Sequence, residues 1–323
     1  MAGSADALEL QGLLPLLDWC QPPALRPAVA AAARAARLQW LAREGLHRQV
    51  LALLDAALER AGIPALLLKG EALATNLYPE PALRPRHDID VWVQPVDRAG
   101  AEKLLIGLGA TAMPAASGRW IQPERLWRVP AGRTRVGVDL HWQAVSRPAL
   151  LPALSFAQLH ERGQPLSAGG RLRALDPQDA LLLACVHRWA HHRHGSRLIW
   201  HIDMAMLWEQ LDTCARAEVV GRACIGRIAA LLQAGLHAVA GWVQVSPALD
   251  AQLTAAAGSE PARHLLDGAL PDWRFDLRTT RGRQRLQVLR DYLFPDPDWL
   301  RQRYATARWR WLPWLYLRRL LRR

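Results

Sequence analysis

Two short stretches alternate so sharply that they settle both a strand assignment and which way its side chains face. In Asp88-Ile89-Asp90-Val91-Trp92-Val93 and in Val136-Gly137-Val138-Asp139-Leu140-His141-Trp142, apolar residues recur at every second position. Strand side chains point to opposite faces with period two, so Ile89, Val91 and Val93 face a core, as do Val136, Val138, Leu140 and Trp142. Asp88 and Asp90 share the other face, about 7 Å apart along the strand. Asp139 and His141 join them if both strands lie in one sheet. Like charges so placed repel unless a cation or an arginine lies between them, and hard divalent ions bind through a few carboxylates plus substrate phosphates. Three such carboxylates can hold a pair of ions about 4 Å apart, which activate a hydroxyl and neutralise a departing pyrophosphate. The competing reading of D-x-D is an exposed strand edge.

The segment before this strand adds a phosphate-binding feature. Leu66-Leu67-Leu68-Lys69-Gly70-Glu71 is an apolar strand, Ile63 to Leu68, running into a turn and then a helix over Glu71–Tyr78. Such a turn offers backbone N–H groups and a helix N-terminus to a phosphate, with Lys69 as a point charge. Gly70 lets the backbone approach closely. An ordinary loop is the alternative.

Elsewhere the pattern is mostly helical. Residues 1–61 form an N-terminal helical segment, with one or two helices over residues 24–61. Residues 62–175 carry the strands, a helix over Val96–Leu108, and a hairpin with strands near Leu126–Val129 and Arg135–Trp142 joined at Pro130-Ala131-Gly132. Asp176 as N-cap and Pro177 in the first turn open a helical domain, 176–305, and residues 306–323 form a basic tail. Strands among helices, then helices alone, give an α+β fold: a small mixed or antiparallel sheet with flanking helices, followed by a mainly helical C-terminal domain. His187, His191 and His194 fall on one helical face, where i,i+4 is a workable zinc spacing. The favoured reading joins them to Arg197 and Asp203 as a polar face lining the cleft against the sheet.

The stretch from Leu66 to Ala110 resembles an uncharacterised bacterial nucleotidyltransferase family of the DNA-polymerase-β-like superfamily. Its members show a Lys-Gly turn, a Tyr-Pro, an Arg and a D-I-D strand, as do Lys69-Gly70, Tyr78-Pro79, Arg84 and Asp88-Ile89-Asp90. The likeness continues through Val138 to Trp142, the histidine-rich helix, Trp200-His201-Ile202-Asp203 and the Phe294–Tyr304 region. It implies a polymerase-β-type sheet and metal-dependent transfer of a nucleoside monophosphate from an NTP, ATP foremost, to an acceptor. Asp88 and Asp90 would bind Mg²⁺ or Mn²⁺, and Asp139 would complete the metal site and help to activate the acceptor. Lys69, Gly70, Glu71 and Arg84 would contact the nucleotide, with His141, His187, His191 and Asp203 behind them. An inactive nucleotide-binding or scaffold protein on the same fold is the alternative.

Composition narrows the setting. Cys20, Cys185, Cys214 and Cys224 show no CxxC spacing and read as reduced, buried hydrophobes. Acids near the N-terminus argue against an export signal, and no long uncharged apolar run spans a membrane. These readings place the chain in the cytoplasm, peripheral to the inner membrane face if its tail touches lipid. The net charge is +12, and from Arg281 onward 12 arginines face 3 acids, leaving +9 in the last 43 residues. In the tail, Arg318, Arg319, Arg322 and Arg323 lie on one arc of a helix. Trp314, Tyr316, Leu317, Leu320 and Leu321 lie on the other, with Leu315 the exception. That pattern suits an anionic membrane surface or packing on the domain, with nucleic acid third.

Overall fold

The structure, a computed structural model, describes residues 5–115, 120, 122–166, 170–192, 197–267, 272–305 and 311–321. The expectations placed on His194, Arg322, Arg323 and the side chains of Leu320 and Leu321 fall outside what is described. Two short helices, α1 (Ala5–Leu10) and α2 (Leu14–Cys20), precede α3 (Pro27–Ala61). The last is one continuous helix, begun by a proline in its first turn and ended by Gly62 in the left-handed region (φ 66°).

The sheet elements follow: β1 (Ala65–Leu68), α4 (Lys69–Asn76), β2 (Asp88–Val93), α5 (Arg98–Gly107), β3 (Thr111–Ala112), β4 (Glu124–Ala131), β5 (Thr134–His141), α6 (Phe156–Arg162), β6 (Gln164–Pro165) and β7 (Leu172–Ala174). They form one mixed sheet in the order β3-β4-β5-β2-β1-β7-β6. In its centre β2 runs antiparallel to β1 and parallel to β5, with Asp90 directly opposite Asp139. Residues 130 and 131 do not turn, as the sequence suggests. They continue β4 and pair with Arg135 and Thr134, and the two-residue turn is Gly132-Arg133, with Gly132 at φ 59°.

Helices complete the chain: α7 (Pro177–His191), α8 (Leu198–Glu209), α9 (Thr213–Ile225), α10 (Ala229–Ala238), α11 (Pro247–Ala257), α12 (Arg263–Leu266), α13 (Asp272–Thr279), α14 (Gly282–Leu293), α15 (Pro297–Arg303) and α16 (Leu312–Leu321). The Asp176 carboxylate caps α7 by accepting from Asp179 N at 2.7 Å.

Strand alternation sorts the sheet's two faces. Ile89, Val91, Val93, Val136, Val138 and Leu140 pack with Val50, Leu54 and Leu58 of α3 and Ala101 and Leu105 of α5. Leu66, Leu68 and Trp92 face the other way and join Leu181, Trp208, Leu231 and Phe275 of the helical region. The sheet and the C-terminal helices therefore share a hydrophobic core. Asp88 and Asp90 point to the same side as Trp92, so the acidic face opens between the sheet and the helices that cover it.

Candidate active site

The site begins at Lys69. It stands at the end of an apolar strand, adopts φ 49°, and starts α4. A lysine seldom takes the left-handed region, and such outliers concentrate where a side chain must be aimed. Here its Nζ donates to Asp90 Oδ1 at 2.8 Å. Burial alone would lower the Lys69 ammonium, but the charges of Asp90, Glu124 and Asp139 outweigh it and hold its pKa above the ordinary value.

His141, 1% exposed, lies behind the carboxylates. Its Nε2 is 2.9 Å from Asp90 Oδ1 and 3.6 Å from Asp139 Oδ2, and its Nδ1 is 3.1 Å from Glu124 Oε2. Burial and Lys69 disfavour the imidazolium, yet the Asp90 and Glu124 carboxylates raise its pKa to about 9. Asp90 responds in the opposite sense: burial would raise it, but Lys69 and His141 hold it well below the usual carboxylate range. Glu124 falls to about 2, mainly because the His141 hydrogen bond overcomes burial. Asp139 rises to about 6, as burial together with Glu124 and Asp90 prevails over His141. Asp88 rises as well, through burial and then the Asp90 charge.

Asp90, Asp139 and His141 bring one potential ligand atom each within 4.8 Å of one another. Asp88 stands two residues earlier in β2, opposite Gly137, and lines the same cleft. Both partners of Asp90 use Oδ1. Its Oδ2 and the carboxylate of Asp88 take no hydrogen bond from a described residue. The donor set is thus rich in hard oxygen and fits a divalent cation.

The cleft holds about 660 Å³ and is lined by Lys69, Gly70, Arg84, Asp88, Asp90 and Asp139 from the sheet side. His187, His191 and Asp203 line it from the helices. His141 is enclosed beneath the carboxylates, against Asp90 and Glu124. One residue expected to contact the nucleotide is placed elsewhere. Glu71 is fully buried and turned away from the cleft, where it receives Arg86 Nε at 2.7 Å and Nη2 at 2.9 Å and meets His47 Nδ1 at 2.7 Å. A carboxylate there cannot meet a phosphate, because Arg86 and His47 of α3 already surround it.

Arg84 is also committed. Its Nε and Nη2 donate to both oxygens of Asp203, at 3.0 and 2.7 Å, and Tyr78 Oη donates to the same carboxylate at 2.7 Å. The Tyr-Pro and Arg of the sequence motif thus clamp the cleft's edge to α8. Gly70 accommodates this clamp, since a Cβ there would lie 2.7 Å from Arg84 Nη1.

On α7, the rings of His187 and His191 stand 4.8 Å apart, and His192 lies 4.6 Å from Trp200 of α8. Burial, then the Lys69 charge, lowers His191 to about 3 and His187 well below its ordinary value, so both imidazoles are neutral. Their ligand atoms do not converge with a third residue among those described.

Glu124, His192, Arg188 and Trp200 are additions the sequence reading did not make. Glu124 was recoverable from the hairpin. With the turn at Gly132-Arg133, counting back along β4 sets Glu124 opposite His141.

A mixed sheet whose central neighbours gather carboxylates beside a strand–turn–helix defines a nucleotidyltransferase-type protein. The chain belongs to the uncharacterised nucleotidyltransferase family, whose model matches residues 8–244. It is also similar to two solved Helicobacter pylori structures. One is JHP933, at 12% identity over 71% of this chain and 93% of that one, with a TM-score of 0.34. The other, a candidate nucleotidyltransferase, is 12% identical over 71% and 96%, with a TM-score of 0.27. Membership rests on the family match. No curated protein matches the chain.

Proposed function

We propose that the protein is a Mg²⁺- or Mn²⁺-dependent nucleotidyltransferase that transfers a nucleoside monophosphate from an NTP, ATP foremost, to an acceptor hydroxyl or phosphate in the cytoplasm. One observation carries the reading. Asp88, Asp90, Asp139 and Glu124 gather around Lys69 and His141, so among the described residues at the centre of the cleft carboxylates outnumber cations, an excess of negative charge that suits a divalent ion. Asp88, Asp90 and Asp139 would hold it, and when bound it would polarise the reacting phosphate and neutralise developing charge.

The remaining work falls to this chain's own residues. Lys69 and His141 fix the rotamer of Asp90 by sharing one oxygen and leaving the other toward the cleft. Asp139 would take the acceptor's proton as the acceptor oxygen bonds to the α-phosphorus and the bond from that phosphorus to the departing pyrophosphate breaks. Arg188 and Arg197 supply charge for the phosphates. Both line the cleft, and neither lies within ion-pairing distance of a carboxylate among the described residues. Among the described residues Arg188 Nη1 is buried with no hydrogen-bond partner, as is His187 Nδ1 on the same wall.

The second reading, nucleotide binding without turnover, is favoured by the Lys69–Asp90 ion pair, which already occupies part of the metal site. Titration calorimetry with Mg²⁺–ATP and Mg²⁺–GTP, paired with pyrophosphate release in the presence of small-molecule cell extract, separates the two. Turnover in the wild type that falls at least about a hundredfold in Asp90→Asn supports transfer. Binding without pyrophosphate release selects the second reading, and no binding at millimolar nucleotide defeats both.

A further inference from the structure

Around α14 and α16 the protein turns large apolar side chains outward. On α14, Val288 and Tyr292 are buried, and Tyr292 Oη donates to Asp276 Oδ2 at 2.7 Å. The opposite side of that helix carries Leu286, 67% exposed, and Leu289, flanked by exposed Arg283 and Arg290. α16 packs on α15 and meets the C-terminal end of α14. Tyr316 Oη donates to Pro295 O at 2.9 Å, and Arg319 Nη1 donates to the Tyr292 carbonyl.

The helix faces differ from the arcs read in the sequence. Leu315, the exception there, is the buried anchor at 3% exposure. Trp311, Trp314 and Leu317, spaced i, i+3 and i+6, are each about half exposed. Phe294, also exposed, meets Tyr316 with ring centroids 5.6 Å apart and so links the two helices. Arg318 lies over Trp314 at 5.1 Å. The tail is therefore both packed on the domain, through Leu315, Tyr316 and Arg319, and exposed on its other side.

We infer that this α14–α16 face rests on an anionic lipid bilayer. Soluble surfaces seldom gather so many large apolar side chains, and exposed patches of this kind mark interaction sites. Tryptophan favours the headgroup level and leucine the layer beneath it. The surrounding arginines, part of the +9 concentrated in the last 43 residues, complement an anionic leaflet. Leucine gives no stacking surface for bases, which sets nucleic acid below lipid. Among the described residues no helix is long and apolar enough to cross a membrane, so contact is made along the surface.

Flotation of the full-length protein with vesicles of phosphatidylglycerol and phosphatidylcholine, against phosphatidylcholine alone, tests this. The wild type floats with the anionic vesicles and is released by high salt. W314A/L317A, whose targets are exposed, lowers the partition coefficient at least about tenfold with an unchanged circular dichroism spectrum. R283Q/R290Q produces a comparable loss on anionic vesicles. The inference is overturned if the wild type stays soluble, if both variants float as it does, or if single-stranded RNA binds and the same variants abolish that binding while leaving flotation unchanged. None of these outcomes depends on the chemistry of the cleft.

Discussion

Lys69 and Glu71 are two residues apart, yet they enter ionic clusters of opposite design. Glu71 belongs to a closed one, in which the carboxylates of Glu44 and Glu71 meet Arg86 and His47, and Arg86 also donates to the Pro81 carbonyl at 2.8 Å. Lys69 belongs to an open one, where carboxylates outnumber cations and some of their oxygens face a cleft. Complete pairing makes the first cluster a structural joint between α3, α4 and the loop before β2. Incomplete pairing gives the second the means to take up a further cation. Two buried groups of similar composition thus differ in role because one has spent its hydrogen-bonding capacity and the other has not.

Removing one member of the closed cluster should have the largest effect. Glu71→Ala leaves Arg86 and His47 without their shared acceptor in the interior, and the expected loss is about 3–5 kcal/mol in urea unfolding. A loss below about 1 kcal/mol would mean that the joint is dispensable.

The open cluster should behave in the opposite way. Asp139→Asn removes like-charge repulsion, so the melting temperature without metal should hold or rise slightly. The stabilisation by Mn²⁺, about 1.4 kcal/mol in the wild type at tenfold excess over its dissociation constant, should disappear. Differential scanning fluorimetry with and without Mn²⁺ checks both statements, and a variant that loses stability without metal would erase the contrast.

The smallest effect is the pH dependence of the closed cluster. Burial would raise the Glu71 carboxyl, but its bonds to His47 and Arg86 prevail and lower it. A group with a depressed folded pKa contributes fully above its unfolded value, about 4.3, and that contribution is lost as pH falls through the folded value. Between about pH 5 and pH 3 the stability gap between wild type and Glu71→Gln should narrow as pH falls. Urea midpoints across that range measure it.

Much of the site could be read from the chain because alternation is a local signal. The period of Asp88–Val93 and Val136–Trp142 alone aligned Asp88, Asp90, Asp139 and His141 on one face. What escaped depends on register and on distant partners. Misplacing the hairpin turn by about a residue hid Glu124. The inward turn of Glu71 is decided by His47, 24 residues away, and Arg86, 15 residues away. Leu315 looked out of place because helical periodicity finds faces without saying which one meets protein. The closing of Arg84 and Tyr78 onto Asp203 leaves no trace in local composition, since it joins positions 119 and 125 residues apart.

That last separation bears on how the chain is made. Arg84 leaves the ribosome well over a hundred residues before Asp203, and until then its guanidinium has no carboxylate and the Leu66–Leu68–Trp92 side of the sheet has no cover. A sheet formed before α7 and α8 emerge would present that apolar side to water, the kind of surface that invites aggregation. A cut at residue 175, attractive from the order of strands and helices, would freeze the polypeptide in that state: its acidic strands could still pair, but the apolar ones beside them would lie against water.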